Sequence, residues 1–259
     1  ISDYLGPLVD IEYKIEKKDF KSIWNKILAL IKKECDLIFL DKQINENFFS
    51  NNLIVKNLDC DKYDKIYRTD LFKWNEIKKN KNRTLQKFRW SKKKLSEIGN
   101  LKFIEKVDNY HEKKNLINKA ILWKKEKMKK SKFVVSFSEK FYCNLIDDKN
   151  IIISGLKLDD DFIAISLGFS KNQNYFYLVP SYKVTSNLEK YSPGKILMIE
   201  LIDFFANKNF KYFDFCDGKE TYKEYWTNNM IELMEYIKPT NLSGLLLRFL
   251  LKIKKKYEK

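Results

Sequence analysis

With 259 residues the chain can bury one sizeable core or two smaller ones. Its 44% apolar and 15% aromatic content, with only 7 Gly and 4 Pro, excludes disordered and low-complexity classes. A formal net charge of +16 invites a nucleic-acid partner, yet only four of the 51 basic residues (Arg68, Arg83, Arg89 and Arg248) are arginines, whose planar fork nucleic-acid sites favour. Most of the charge reads as solvated surface, with a share left for an anionic ligand.

Cys35, Cys60, Cys143 and Cys216 stand far apart without metal-ligand spacing, which fits a reduced, cytoplasmic protein with no metal site. The single histidine, His111, sits among lysines, so His-based triads and metal centres are set aside. The opening ISDYLGPLVD shows no basic n-region or apolar h-region and reads as the interior of a longer frame.

The first hundred residues alternate α and β. Ile23, Ile27, Leu30 and Ile31 follow helical spacing and predict a helix over 20–33, with Asp19 able to cap its start. Residues 36–40, 52–55 and 65–68 predict short strands. A basic helix over 80–98 ends at Gly99 in a left-handed cap role, and 101–107 alternates as a strand. A lysine-rich helix over about 112–130 buries Leu116, Ala120 and Trp123.

Strands then crowd together, at 150–156 and 161–167, joined through Asp159-Asp160-Asp161, and at 174–180. A mostly apolar helix runs from Pro193 to about 207, followed by strands at 210–216 and 230–237. This order is α/β with one parallel crossover near its end. The last helix sets Leu242, Leu245, Leu246, Phe249, Leu250 and Ile253 on one face, ahead of Lys254, Lys255 and Lys256. Core packing is its default reading, and an interfacial helix on anionic lipid the sharper one. Its apolar run is too short to span a bilayer.

The stretch 182–226 carries the chemistry. Ser192 suits an N-cap, Pro193 the first helical position, and Gly194 a close ligand approach. First-turn amides facing open space would bind an anion; a merely well-capped helix is the plainer reading. Asp214, between Phe213 and Phe215, suits a general base or acid, or a structural carboxylate satisfied by loop amides. Asp217 and Glu220 lie just past the strand end, where α/β sites gather. Tyr182 is placed to give a proton to a leaving group, or is an ordinary strand-end tyrosine.

Four pieces share an order and spacing: Ser181-Tyr182; Tyr191-Ser192-Pro193-Gly194 opening a helix; Tyr212-Phe213-Asp214-Phe215; and Asp217-Gly218-Lys219-Glu220-Thr221-Tyr222-Lys223, with Trp226 three residues on. Together they resemble the CelD-like (cellulose-biosynthesis-type) branch of the GNAT acyltransferases and, more distantly, the FemAB-type peptidyltransferases. Tyr4-Leu5-Gly6-Pro7-Leu8 and the basic helix at 83–99 resemble earlier landmarks of that family.

The resemblance implies a GNAT-like mixed sheet flanked by helices, with a partial GNAT-like half at 1–105, a catalytic domain at 106–240 and a basic amphipathic helix at 241–259. It implies acetyl-CoA as donor, its pyrophosphate on residues 192–195 near Tyr182, although the usual R/Q-x-x-G-x-G/A loop keeps only Gly194. Tyr222-Lys223 matches the aromatic–lysine pair of the Fem relatives, which places Lys223 near the reacting carbonyl or phosphate. An amino sugar or nucleotide-linked sugar of surface polysaccharide is the implied acceptor. The rivals are a FemAB-like ligase taking an aminoacyl group from tRNA, and a non-catalytic GNAT scaffold binding a polysaccharide-synthesis partner. The expected location is cytoplasmic, with residues 242–256 able to touch the inner membrane face.

Overall fold

A computed structural model describes residues 15–44, 52–127, 135–184, 187–218 and 220–257, with 135–139 and 256 as backbone alone. The landmark at Tyr4-Leu5-Gly6-Pro7-Leu8, the end of the lysine-rich helix at 128–130, and Lys219 lie outside them. In chain order the first half comprises α1 (Lys17–Ile31), β1 (Leu37–Ile44), α2 (Leu53–Asn57), β2 (Asp61–Asp70), α3 (Trp74–Asn80), α4 (Asn82–Ile98), β3 (Leu101–Ile104) and α5 (Tyr110–Lys127). There follow α6 (Val135–Asn144), β4 (Ile151–Leu158), β5 (Asp161–Lys171), β6 (Asn174–Tyr182), α7 (Pro193–Asn207), β7 (Tyr212–Asp214), α8 (Thr221–Trp226), β8 (Asn229–Pro239) and α9 (Leu242–Tyr257).

Two compact units divide the chain, one continuous over 67–229 and the other built from 1–66 with 230–259. The limits of these units fall at Ile66/Tyr67 and Asn229/Met230. β2 crosses from one unit into the other.

In the 67–229 unit the strand order is β2-β7-β6-β5-β4-β3. β6 and β7 run parallel, whereas β2–β7, β6–β5, β5–β4 and β4–β3 are antiparallel. The parallel step forces a crossover, and α7 supplies it. That helix is apolar nearly all round and buries Ile196, Leu197, Met198, Leu201, Ile202 and Phe205 in one core with Tyr175, Phe213 and Trp226. A second core forms between the strands and α5, around Leu116, Ile117, Ala120 and Ile121. With both faces covered, β4 and β5 are buried almost end to end, which is why they read as apolar runs and not as alternation. Each fully buried Leu or Ile contributes roughly 1.5–3 kcal/mol.

In the other unit β1 pairs antiparallel with β8, from Leu37↔Pro239 to Ile44↔Leu233. Phe20, Trp24, Leu53 and Tyr236 form its core. Of the apolar residues at helical spacing on α1, Ile31 packs against this core while Ile23, Ile27 and Leu30 are exposed, and Phe20 and Trp24 are the buried ones. Asp19 lies inside the first turn of α1, and the cap position is Glu16. The 52–55 strand is instead α2, because Asn52 Oδ1 accepts the N–H groups of Ile54 (3.0 Å) and Val55 (3.3 Å) and starts a helix. Gly99 is extended (φ −170°), not left-handed. A glycine is needed there because any Cβ would run into the Asp159 carboxylate, which accepts the Asn100 N–H at 2.8 Å.

α9 faces the reverse of its default reading. Gly244 is buried, with Arg248, Leu251 and Lys255 half-buried on the same side. Gly244 packs onto the Asp36 carbonyl and Pro239, and Lys255 pairs with Glu235 beside the rings of Phe39 and Tyr63. Leu242, Leu245, Leu246, Phe249, Leu250 and Ile253 are exposed. No helix among the described residues is long and apolar enough to cross a membrane.

Candidate active site

The sheet of the 67–229 unit opens at one place. β5 and β6 stay paired as far as Ala164↔Tyr182, whereas β6 and β7 pair only at Asn174↔Tyr212, Tyr175↔Phe213 and Phe176↔Asp214. Past Asp214 the chain leaves β6, and Phe215 N donates to Tyr67 O at 2.9 Å. Cys216 then adopts φ 58°, its N–H held by Asp214 Oδ1 at 2.7 Å. On β6 itself the register shifts, Leu167 facing Val179 and Gly168 facing Tyr177, so Leu178 is an extra residue. Such a bulge bends its strand and re-aims the side chains after it.

A cavity of about 600 Å³ fills the opening. β6 lines it with Tyr177, Pro180, Ser181 and Tyr182, and α7 with Ser192, Gly194, Lys195 and Met198. α5 adds Trp123, Lys124 and Lys127, and Glu220 and Tyr222 close the far side. Three lysines against Glu189 and Glu220 leave the lining net positive, which suits an anionic ligand.

The first turn of α7 offers fewer amides than expected. Pro193 has no N–H, and Ser192 O accepts from both Lys195 N (3.0 Å) and Ile196 N (3.2 Å), leaving Gly194. Ser192 holds the cap position in a left-handed conformation (φ 53°), with no side-chain capping bond. Gly194 is required by a ring as well as by any ligand, since a Cβ there would stand 2.9 Å from Tyr182 Cδ1. The Tyr182 ring is covered in turn by Lys127 Nζ, 4.3 Å from its centroid. A phosphate-bearing donor therefore fits by the charge of Lys124, Lys127 and Lys195 more than by an amide cradle.

Lys223 is 4% exposed, and its Nζ donates to Asp217 O at 2.5 Å and meets Glu220 Oε2 at 2.9 Å. Gly218, at φ 128°, makes room for them: a Cβ there would fall on the Glu220 carboxylate and 2.6 Å from Lys223 Nζ. Burial works to raise the Glu220 pKa, but the hydrogen bond and charge of Lys223, with Lys124 adding to them, outweigh it. The carboxyl is held below its ordinary value. Burial, then Glu220 and Cys216, push the Tyr222 hydroxyl up, so it is protonated at neutral pH.

Of the predicted site residues, Tyr182, Ser192, Gly194, Lys195, Glu220 and Tyr222 meet at this cavity. Pro193 is buried beneath the first turn, and Lys223 stands behind Glu220. The Asp217 carboxylate accepts the Gly218 N–H at 2.7 Å. Asp214 does not join them as expected. It is 1% exposed, away from the lining, and lies directly opposite the buried Arg68 across the β2–β7 pair. Arg68 is itself 4.0 Å over the Tyr212 ring. Asp214 Oδ1 accepts the Cys216 N–H at 2.7 Å, as a carboxylate satisfied by a loop amide would.

Sequence reasoning missed Tyr177, Trp123, Lys124 and Lys127. The parity of the 174–180 strand would have offered Tyr177, but the α5 lysines were indistinguishable from their neighbours.

Residues 82–224, more than half of the chain, match the family described as an acetyltransferase (GNAT) domain. The chain belongs to that GNAT family. No curated protein sequence matches it. Among solved structures, this GNAT chain is similar to the C-terminal domain (DUF2156) of a putative lysylphosphatidylglycerol synthetase from Agrobacterium fabrum. The identity is 10% and the TM-score 0.58, covering 91% of this chain and 77% of that one. FemX is similar at 11% identity and TM-score 0.54, over 86% and 77% of the two chains. A conserved protein of unknown function from Bacteroides thetaiotaomicron gives 12% and 0.54, over 84% and 75%. At these identities the likeness concerns the GNAT-like fold alone.

Proposed function

We propose that this GNAT protein is an acyltransferase that moves an acetyl group from acetyl-CoA onto an amine or hydroxyl. An amino sugar or nucleotide-linked sugar of surface polysaccharide is the acceptor class that the CelD-like motif string favours. The observation that carries the reading is the parting of β6 from β7 beyond Phe176 and Asp214, directly beside the start of α7. A parted sheet edge next to a helix N-terminus admits an extended, anionic donor.

Within the cavity, Glu220 is the carboxylate able to take the acceptor's proton, being ionised at neutral pH. Lys223, buried behind Glu220 and paired with it, holds that carboxylate ionised and in place. Tyr222 and Tyr182 are the hydroxyls able to protonate a leaving group. The donor supplies the activated carbonyl.

One observation favours a second reading, aminoacyl transfer from tRNA in the manner of the FemAB proteins. With Pro193 lacking an N–H and two further amides closed onto Ser192 O, the pyrophosphate site is depleted, while lysine side chains remain. Thermal-shift titration with coenzyme A and with bulk tRNA separates the two, and a screen of acceptors with labelled acetyl-CoA tests turnover. Stabilisation by coenzyme A with label transfer supports acetyl transfer, and stabilisation by tRNA alone moves the reading to the second. No response to either leaves a scaffold.

A further inference from the structure

α9 is turned inside out. On a helix of 3.6 residues per turn, Gly244, Arg248, Leu251 and Lys255 share one side, and that side packs onto β1 and β8. Over residues 242–253 the opposite side carries Leu242, Leu245, Leu246, Phe249, Leu250 and Ile253, an apolar arc about 140° wide at about 100° per residue. These side chains are 37–83% exposed. Packing into a core would have placed them inward, so the helix is held by its polar side and offers its apolar side outward. A contiguous apolar face of this kind marks an interaction site.

The charges indicate what covers it. α9 contains no Asp or Glu, and Lys252 and Lys254 fall on the two flanks of the apolar arc. Long cationic stems beside an apolar stripe let the ammonium groups reach headgroup phosphates while the stripe sinks into acyl chains. We infer that α9 is an interfacial anchor that seats the 1–66/230–259 unit on an anionic lipid bilayer. The acyltransferase reading is independent of it, because none of the cavity-lining residues lies on α9.

Co-sedimentation of the 259-residue chain with large vesicles of phosphatidylcholine and phosphatidylglycerol (1:1) tests the proposal, with light scattering for oligomeric state. The wild type is expected to pellet with these vesicles and much less with pure phosphatidylcholine, and the binding should weaken between 0.1 and 0.5 M salt. Leu246→Glu and Phe249→Glu should each lower partitioning about tenfold or more. Phe72→Ser, removing an apolar side chain 67% exposed in the other unit, should leave it unchanged. Milder Leu246→Ser and Phe249→Ser variants, checked by circular dichroism, keep the test intact if glutamate disturbs folding. The proposal is overturned if wild type ignores the anionic vesicles, if the α9 variants bind as well as wild type, or if wild type is a dimer that those variants dissociate.

Discussion

Lys223 Nζ and Glu220 Oε2 meet at 2.9 Å across Gly218, one partner buried and the other half-exposed at the cavity wall. The pair ties Glu220's protonation to the fold. Its folded pKa lies below its unfolded one, so its contribution to stability is present above the ordinary glutamate pKa of about 4.3 and disappears as pH falls through the folded value. Glu220→Gln should therefore lower Tm at pH 7 and have little effect near pH 3. Equal Tm differences at both pH values would contradict the assignment.

Lys223→Ala should reduce turnover about a hundredfold by leaving the Glu220 base unheld, with donor affinity nearly unchanged. Single-turnover rates against a donor binding isotherm make the check. A matched loss in affinity would mean that Lys223 binds the donor's ground state.

Gly194→Asp places a Cβ and a negative charge beside the Tyr182 ring and the remaining first-turn amide of α7. Calorimetric titration with coenzyme A should show affinity falling by tenfold or more on the order expected for one lost charge-assisted contact, while Tm moves by a few degrees. Unchanged affinity would remove residues 192–195 from the donor site.

Asp214→Asn separates the two readings of that carboxylate. Buried and holding the Cys216 N–H, it should behave structurally, costing on the order of 1–3 kcal/mol in urea unfolding as the charge-assisted bond is lost. The folded fraction should keep its rate. A variant of wild-type stability and no activity would return Asp214 to the catalytic set.

Cys60 provides a control on reactivity. Burial first, then Asp59 and Asp61, push its thiol up to about 11, so thiol-modifying reagents at pH 7.5 should label it slowly. Rapid labelling would mean that the thiol is less enclosed than its surroundings indicate.

The elements of the 67–229 unit were largely legible because their signals were local. Pro193 opened α7, the apolar runs marked β4 to β6, and strand–helix–strand order implied the parallel crossover that β6 and β7 make. Two misreadings share one cause. Periodicity identified an apolar stripe on α1 and another on α9 without revealing which side each turns to the protein. At 52–55, β-branched Ile54 and Val55 suggested a strand, but a cap from Asn52 decided otherwise. The cavity was invisible for a different reason: it exists because two strands stop pairing, and pairing between distant segments leaves no periodic trace. The same holds for Asp214, whose apolar neighbours were legible but whose partner Arg68 lies on a strand far earlier in the chain.

The division of the chain also sets an order of events during synthesis. The unit over 67–229 is continuous, so it can close as soon as its last strand leaves the ribosome. The other unit cannot. Trp24 donates to Tyr236 across 212 positions, and β1 has no β8 to pair with until residues 229–239 have been made. Through that interval the nascent segment carries Phe20, Trp24, Ile38 and the edge of β1 uncovered, which makes it a place for a chaperone to act.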